Sequence, residues 1–134
     1  MPTFDGHRWH EAISVLDGPL QKQLELLKKS EKAHVLRVYQ AVCDDPALDS
    51  CSRHDLILLA LLHDIGKTIT RPSLLFKITK VFFNCANTEH CVAGARILRR
   101  HRQNATLIKR VLRHHDSNPA DLLLCAFQKY DDHN

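Results

Sequence analysis

Apolar residues along this chain recur with the spacing of α-helices. Two sets of positions carry the pattern: Leu20, Leu24 and Leu27, and then Val35, Val38 and Val42. Apolar residues three and four positions apart are typical of one buried helix face. No segment sustains the apolar-polar alternation of a half-buried strand. The pattern therefore predicts an all-α protein.

Capping residues and prolines indicate where the helices begin and end. We expect one helix to open at Asp17-Gly-Pro19, a break near Ser30, and the end of the next helix at Asp44-Asp45-Pro46. Further helices are predicted over 72–83, 88–102, 104–115 and 119–132, opened by Pro72, Thr88, Asn104 and Asn118-Pro119. Together these boundaries predict a compact single-domain bundle of six or seven helices.

The most apolar segment of the chain is Leu56–Leu62. Ser52 and Asp55 precede it at the spacing of a capping box, and Gly66 follows it as a predicted C-terminal cap. Because its apolar residues are continuous, we expect this helix to be buried on most sides.

A length of 134 residues is about one domain's worth. No apolar run approaches the ~18 residues of a membrane span, and charge and histidine occupy residues 1–11, where a secretion signal needs an apolar stretch. We therefore expect a cytoplasmic protein with no membrane partner. The cysteines are odd in number and form no CxxC pair, which favours buried free thiols over a disulfide framework or a zinc knuckle. They are Cys43, Cys51, Cys85, Cys91 and Cys125.

Positive charge is concentrated in the middle of the chain. Residues 67–113 hold 11 Lys and Arg against 1 acidic residue, whereas residues 1–66 hold 7 against 10 and residues 114–134 hold 1 against 4. Such a block attracts anions, of which phosphate-bearing ligands are the commonest, although a solvated helix surface would also carry it. Because no aromatic residues interleave with these charges, we expect no dedicated nucleic-acid partner.

Histidines are frequent, and several fall at predicted helix ends or inner faces. His63-Asp64 ends the most apolar helix, where two polar groups beside the core are costly unless something satisfies them. A metal ion would do so, since imidazole and carboxylate suit Mn, Fe, Zn, Co or Mg. For this pair alone, a satisfied core histidine and a capping aspartate are the simpler explanation of the pattern. Other residues of ligand type recur in the same way: His34, His90, His114, His115 and Asp131.

The order of these residues resembles the HD superfamily of metal-dependent phosphohydrolases. The family pattern H…HD…H…HH…D is matched over about residues 30–134 by Ala33-His34-Val35, Leu62-His63-Asp64-Ile65-Gly66-Lys67, Glu89-His90, Arg113-His114-His115-Asp116 and Tyr130-Asp131-Asp132. The His-Asp-Ile-Gly-Lys stretch is similar to the HDIG subtype. Tyr130 stands where the family usually has Ala, and the Gly-Tyr-Pro extension of the cyclic-di-GMP phosphodiesterases is absent, which argues against their substrate. The resemblance implies an HD domain over 30–134, with 1–29 as an N-terminal helical segment packed on it.

The same resemblance implies a binuclear metal site. His34, His63, Asp64 and Asp131 would hold one divalent ion, and Asp64 would bridge to a second ion held by His90 and His114, with help from His115. A single ion would instead leave His90, His114 and His115 to serve the substrate. Lys67 follows Asp64 by three positions and is a candidate catalytic contact to phosphate, although a solvated lysine at a helix end would look the same. Arg71, Lys77 and Lys80 are further candidate substrate contacts, for each of which a solvated role is the simpler alternative.

The function implied by the resemblance is hydrolysis of a phosphate ester by metal-activated water. Because of the basic middle block, we expect a nucleotide or another small phosphorylated metabolite as the substrate. Two alternatives remain open: a di-iron oxygenase with the same ligand set, and a non-catalytic metal-sensing or nucleotide-sensing module. A minimal domain has few loops to enclose a large substrate, so a homodimer would supply the missing wall.

Overall fold

The computed structural model describes residues 4–70 and 89–134. Within these two ranges the chain forms seven α-helices and one short 3₁₀ helix, Ile65–Thr68, and it contains no β-strand. The helices are α1 (Gly6–Ile13), α2 (Gly18–Leu24), α3 (Lys29–Cys43), α4 (Ser50–Leu62), α5 (Glu89–Arg100), α6 (Ala105–Leu112) and α7 (Leu122–His133). The predicted all-α fold is confirmed. The helix predicted over 72–83 and the start predicted at Thr88 lie outside the described residues.

Side-chain caps explain most helix starts. Asp17 accepts a hydrogen bond from the backbone N–H of Leu20 at 3.0 Å, and Asn104 accepts one from Thr106 at 2.7 Å, as their positions predict. Helix α3 ends at Cys43 with Asp44 as its C-cap, which confirms the predicted stop. Helix α3 begins at Lys29, with Lys28 as its N-cap, so the break comes slightly before Ser30.

Two predicted helix starts are wrong by a few residues. The N-cap of α4 is Asp49, whose carboxylate accepts from the Ser52 N–H at 2.7 Å, so Ser52 already lies inside the first turn. Helix α7 begins after Asp121 rather than at Asn118-Pro119. Asn118 adopts a φ of 49°, which places it in a left-handed turn ahead of the helix. In both cases an aspartate three residues away from the predicted cap takes the capping role.

Helix α4 lies at the centre of the bundle and packs against α3, α6 and α7. Every residue of 59–66 is buried, so the chain stays in the core beyond the end of α4 and through the start of the 3₁₀ helix. The expectation that this segment is buried on most sides is confirmed for its C-terminal half. His63 and Asp64 therefore lie in the middle of a continuous buried stretch.

The N-terminal helices share the same core. Trp9 is 1% exposed, and its indole N–H donates to Glu25 at 2.8 Å, which joins α1 to the turn after α2. Ile13, Leu20 and Leu24 belong to one apolar cluster with the residues of α3 and α4. The division of the chain between residues 29 and 30 stays a prediction. None of the helices within residues 4–70 and 89–134 is both long and apolar enough to cross a membrane.

Gly66 allows another helix to pack closely against it and is not the C-terminal cap that the sequence predicts. Its φ is not positive, and it lies inside the 3₁₀ helix, which packs on α5. A Cβ atom at Gly66 would lie 1.8 Å from the carbonyl oxygen of His90 and 2.6 Å from the backbone nitrogen of Gly94. The missing side chain therefore lets the backbone of α5 approach the segment that carries Asp64.

We predict that Gly66→Ala destabilises the protein by about 3 kcal/mol, because the added methyl group meets backbone atoms that no rotamer change can move. At this size the melting temperature should fall by roughly 10 °C, as measured by circular dichroism. Gly18→Ala is the matched control, since nothing lies within 4 Å of its Cβ position. An unchanged melting temperature in Gly66→Ala would show that α5 can shift away without cost.

Candidate metal centre

Four polar side chains are buried in the described part of the chain, and all four meet at one place. His63 is 0% exposed, Asp64 3%, His90 4% and His114 1%. Burying a polar or charged group costs several kcal/mol unless it finds a partner. Their convergence in the core therefore indicates that they share a common partner or satisfy one another.

The first group of ligand atoms joins α3, the end of α4 and α7. His34 Nε2 lies 2.8 Å from Asp131 Oδ1, and His63 Nε2 lies 3.5 Å from the same oxygen. Asp64 Oδ2 lies 3.2 Å from His63 Nε2 and 4.0 Å from His34 Nε2. We call His34, His63 and Asp131 the first cluster, and these three residues have the spacing of metal ligands.

The second group joins the start of α5 and the end of α6. His90 Nε2 lies 3.3 Å from His114 Nε2. The ring of His115 lies with its centroid 4.2 Å from that of His114 and 5.1 Å from that of His90, and His115 is exposed. The Cys91 sulfur lies among the same atoms, 3.8 Å from His90 Nε2. We call His90, Cys91, His114 and His115 the second cluster.

Asp64 lies between the two clusters and turns one oxygen to each. Its Oδ2 faces the first cluster at the distances given above, and its Oδ1 lies 3.4 Å from His90 Nε2 and 3.7 Å from His114 Nε2. A carboxylate in this position can contribute one oxygen to an ion in either cluster. Because its two oxygens point to different sets of histidines, it can also bridge two ions.

Helix ends orient two of the buried imidazoles. His63 follows α4 and directs Nδ1 at the carbonyl oxygen of Ala60, at 2.9 Å, while His114 follows α6 and directs Nδ1 at the carbonyl oxygen of Val111, at 2.6 Å. The last carbonyls of a helix have no partner within the helix, so they accept these ring protons. In each ring Nε2 is then left to face the cluster, which is the tautomer that a metal ligand needs.

A family comparison agrees with this geometry. A family model described as HD domain matches residues 21–132. The chain belongs to the HD domain family. Searches of curated proteins and of solved structures found no match. HD domains bind divalent metals, and the family generally contains metal-dependent phosphohydrolases.

The side chains of this HD domain fit a divalent cation. His63 Nε2 is fully buried and has no hydrogen-bond partner among the described residues, although two carboxylates lie within 3.5 Å of it. His90 Nδ1 is likewise buried with no partner in those residues. Imidazole nitrogen and carboxylate oxygen are ligands that Zn, Fe, Co and Mn accept. A cation among the imidazole nitrogens and carboxylates of the cluster would give His63 Nε2 the partner that the described residues do not supply.

His63 carries a positive charge beside the carboxylates of Asp64 and Asp131. Complete burial alone would lower the pKa of His63, but the adjacent Asp64 and Asp131 outweigh burial and raise the pKa to about 10. Burial would raise the pKa of Asp131, but its hydrogen bond with His34 and the nearby charge on His63 lower it. Burial also opposes the ionisation of Asp64, and the charge on His63 nevertheless holds its pKa well below the usual range. A proton on His63 therefore offsets part of the charge of the two carboxylates, and the Lys67 ammonium lies 3.3 Å from Asp64 Oδ2.

The second cluster has the opposite character. Burial, followed by the charge on His63, lowers the pKa of His114 to about 3. Burial, followed by the charge on His90, also lowers the pKa of His115. Neutral imidazole is the form that binds a metal ion. His114 and His115 are therefore ready to bind without losing a proton.

The structure brings together all seven residues that the sequence predicts as metal ligands. Asp131 rather than Asp132 faces the cluster, because the Tyr130 hydroxyl is anchored by a hydrogen bond to Asp45 and Asp132 is exposed. Lys67 Nζ lies 3.3 Å from Asp64 Oδ2, which places the candidate catalytic lysine at the rim of the centre. The candidate substrate contacts Arg71, Lys77 and Lys80 lie outside the described residues.

Two neighbours of the ligands are missed by the sequence analysis. Phe127 is fully buried, and its ring centroid lies 5.0 Å from that of His63 and 6.4 Å from that of His114, so it forms an apolar wall shared by both clusters. Its spacing to Asp131, one helical turn, could have indicated this position. Cys91 is predicted only as a buried thiol, yet its sulfur faces imidazole nitrogens. Burial, followed by the charge of Asp64, raises the pKa of Cys91 to about 11.

We predict that Asp64→Ala abolishes tight metal binding in both clusters, because each loses a carboxylate oxygen. The affinity for every bound ion should fall by at least about 100-fold, as measured by elemental mass spectrometry after gel filtration. Asp132→Ala removes an exposed carboxylate of α7 and should leave metal content unchanged. If Asp64→Ala kept full metal content, Asp64 would not be a ligand to either ion.

Proposed function

We propose that this HD domain hydrolyses a phosphate ester of a nucleotide or another small phosphorylated metabolite, with two divalent ions in the two clusters. The observation that carries the proposal is Asp64, whose two oxygens face two separate sets of ligands within 4.0 Å. Paired cations would lower the pKa of water and neutralise charge on a phosphoryl group. Mn, Fe, Co, Zn and Mg are the candidate ions, and phosphomonoesters and phosphodiesters both fall within the proposed substrate class.

The protein's own residues supply position and charge in this reaction. His34 and Lys67 have side chains that are 25% and 34% exposed, and His115 is exposed, so the rim of the centre is open to solvent and substrate. Phe127 closes the opposite side with apolar surface, which excludes water and strengthens electrostatic contacts within the centre. A phosphate that enters from the rim would come within reach of the Lys67 ammonium.

Lys67 has the reach that a phosphate contact requires. Its ammonium group pairs with Asp64 Oδ2 while a third of the side chain remains in solvent. Because Asp64 is itself directed at both clusters, Lys67 is held beside the place where charge would develop on the substrate. The position of Lys67 three residues after Asp64 also supports assignment to the HDIG subtype. In that stretch Ile65 is fully buried and Gly66 permits the close approach of α5.

The remaining parts of the proposal concern partners and location. The open rim supports a small phosphorylated substrate and agrees with a homodimer in which a second copy covers the centre. The four cysteines of the described residues are free thiols, which supports a reducing, cytoplasmic compartment. A dedicated nucleic-acid partner and a membrane partner are not part of the proposal.

We predict about two ions per chain and metal-dependent release of phosphate or of a phosphomonoester product. The protein should be purified without an affinity metal or a chelator, analysed by elemental mass spectrometry and then assayed on a panel of nucleotides and sugar phosphates. Iron with substrate-dependent oxygen uptake would instead support a di-iron oxygenase. Absence of bound metal after incubation with each candidate ion would contradict both activities and favour a sensing module.

We further predict that Lys67→Met lowers kcat/KM for the phosphate ester by about 100-fold, because one cation directed at the phosphoryl group is lost. Metal content should stay at the wild-type level, since Lys67 is not a ligand. Lys129→Met is the matched control, because it removes one exposed positive charge from α7 and changes the net charge by the same amount. Equal activity in the two variants would show that Lys67 only pairs with Asp64.

A further inference from the structure

The sulfur of Cys91 lies in the second cluster and faces nitrogen atoms rather than apolar carbon. Cys91 is 1% exposed at the start of α5. Its Sγ lies 3.8 Å from His90 Nε2, 4.0 Å from His114 Nε2 and 3.7 Å from His114 Nδ1. A buried cysteine most often packs as a small apolar side chain. Here the sulfur instead belongs to a group of four residues with the spacing of metal ligands.

Five distances among His90 Nε2, His114 Nε2, Cys91 Sγ and Asp64 Oδ1 lie within about 0.4 Å of the edges of a tetrahedral metal site. With bonds of about 2.1 Å to nitrogen or oxygen and about 2.3 Å to sulfur, tetrahedral ligands lie about 3.4 Å apart for two nitrogens and about 3.6 Å apart for nitrogen and sulfur. The observed nitrogen-nitrogen distance is 3.3 Å, and the nitrogen-sulfur distances are 3.8 and 4.0 Å. Asp64 Oδ1 closes the set at 3.4 and 3.7 Å from the two nitrogens. Small movements would bring all four atoms to bonding distance of one ion.

The tautomer of His114 supports the same arrangement. Its Nδ1–H is directed at the Val111 carbonyl at 2.6 Å, which leaves the lone pair of Nε2 facing His90 Nε2 and Asp64 Oδ1. His90 is 4% exposed, and its Nδ1 has no hydrogen-bond partner in the described ranges. Ligand lone pairs and a thiol therefore converge on one small volume.

We propose that Cys91 binds the ion of the second cluster as a thiolate, together with His90 Nε2, His114 Nε2 and Asp64 Oδ1. On binding, the thiol proton is released to solvent and the sulfur lone pair forms the new bond to the ion, so no oxidant or reductant is needed. His115 is exposed and remains on the outer side of this set. The proposal rests on the proposed function only in requiring an ion in the second cluster.

Sulfur ligation makes the two clusters chemically different. The first cluster and Asp64 offer two nitrogens and two oxygens, which accept Mn and Mg as well as Zn, Fe and Co. The second cluster offers two nitrogens, one oxygen and one sulfur, and thiolate favours Zn, Co and Fe over Mn and Mg. The second cluster should therefore discriminate against the hard cations, and the two positions can hold different metals.

The test is a Co²⁺ titration of the metal-free full-length protein followed by absorption spectroscopy. We expect a near-ultraviolet thiolate-to-cobalt charge-transfer band in the wild type, and its loss in Cys91→Ser. Cys51→Ser, at an exposed cysteine, should retain the band. The preference of the second site for Zn²⁺ over Mn²⁺ should fall by at least about 10-fold in Cys91→Ser. A band that persists in Cys91→Ser, or wild type that binds cobalt in both clusters with no band, overturns the proposal.

A second measurement needs no variant of the metal centre. X-ray absorption of the zinc-loaded wild type should show a sulfur neighbour at about 2.3 Å. Zinc bound in both clusters with oxygen and nitrogen neighbours alone overturns the proposal.

Phosphate-ester hydrolysis is measured on the same samples to separate the two proposals. Hydrolysis without sulfur ligation contradicts only the role of Cys91. Sulfur ligation without hydrolysis supports that role and contradicts the proposed activity. Failure of the second cluster to bind any ion overturns the role of Cys91, whatever the activity shows.

Discussion

Burial of the Asp64 carboxylate in the core is the constraint on which the rest of this structure depends. Asp64 is 3% exposed and follows His63, the C-cap of α4, which is the most apolar helix within residues 4–70 and 89–134. A charge in such surroundings needs partners, and five side chains approach it within 4.0 Å: His34, His63, Lys67, His90 and His114. These partners come from α3, the end of α4, the 3₁₀ helix, the start of α5 and the end of α6. The contacts of one buried carboxylate thus connect most of the bundle.

Helix ends determine the orientation of two of these histidines. A helix ends with carbonyls that lack partners inside the helix, and at the ends of α4 and α6 those carbonyls accept a proton from His63 and His114. This contact gives the carbonyl at the helix end a hydrogen-bond partner. It also fixes which ring nitrogen faces the cluster. Gly66 adds the last requirement, because its missing side chain lets His90 come close enough to meet Asp64 Oδ1 at 3.4 Å. Backbone geometry, more than side-chain length, positions the ligands.

The sequence singles out the seven candidate ligands that the structure brings together because they occur in a fixed order at helix ends and inner faces, where a polar side chain is costly without a partner. The all-α fold follows from apolar spacing, and the ends of α3 and the starts of α2 and α6 follow from local caps. The sequence does not show which of two neighbouring residues caps a helix. At the start of α4, Asp49 takes this role instead of the predicted Ser52. The sequence also does not show which distant segments pack together. Gly66 is predicted to be a cap, and only the structure shows that α5 packs against it. Cys91 looks like any buried thiol until its sulfur is seen beside two imidazoles.

The two clusters differ in how each is balanced without a metal, and the difference bears on folding. In the first cluster, His34 and Asp131 meet across 97 positions of sequence, and a protonated His63 offsets part of the charge of two carboxylates. A cation there would replace that proton and hold α7 against α3. The free energy of metal binding would then contribute to the stability of the fold. In the second cluster burial keeps His114 neutral, and the ligands lie only 24 positions apart. The first cluster thus couples a metal to closure of the whole bundle, whereas the second couples it to the packing of α5 on α6.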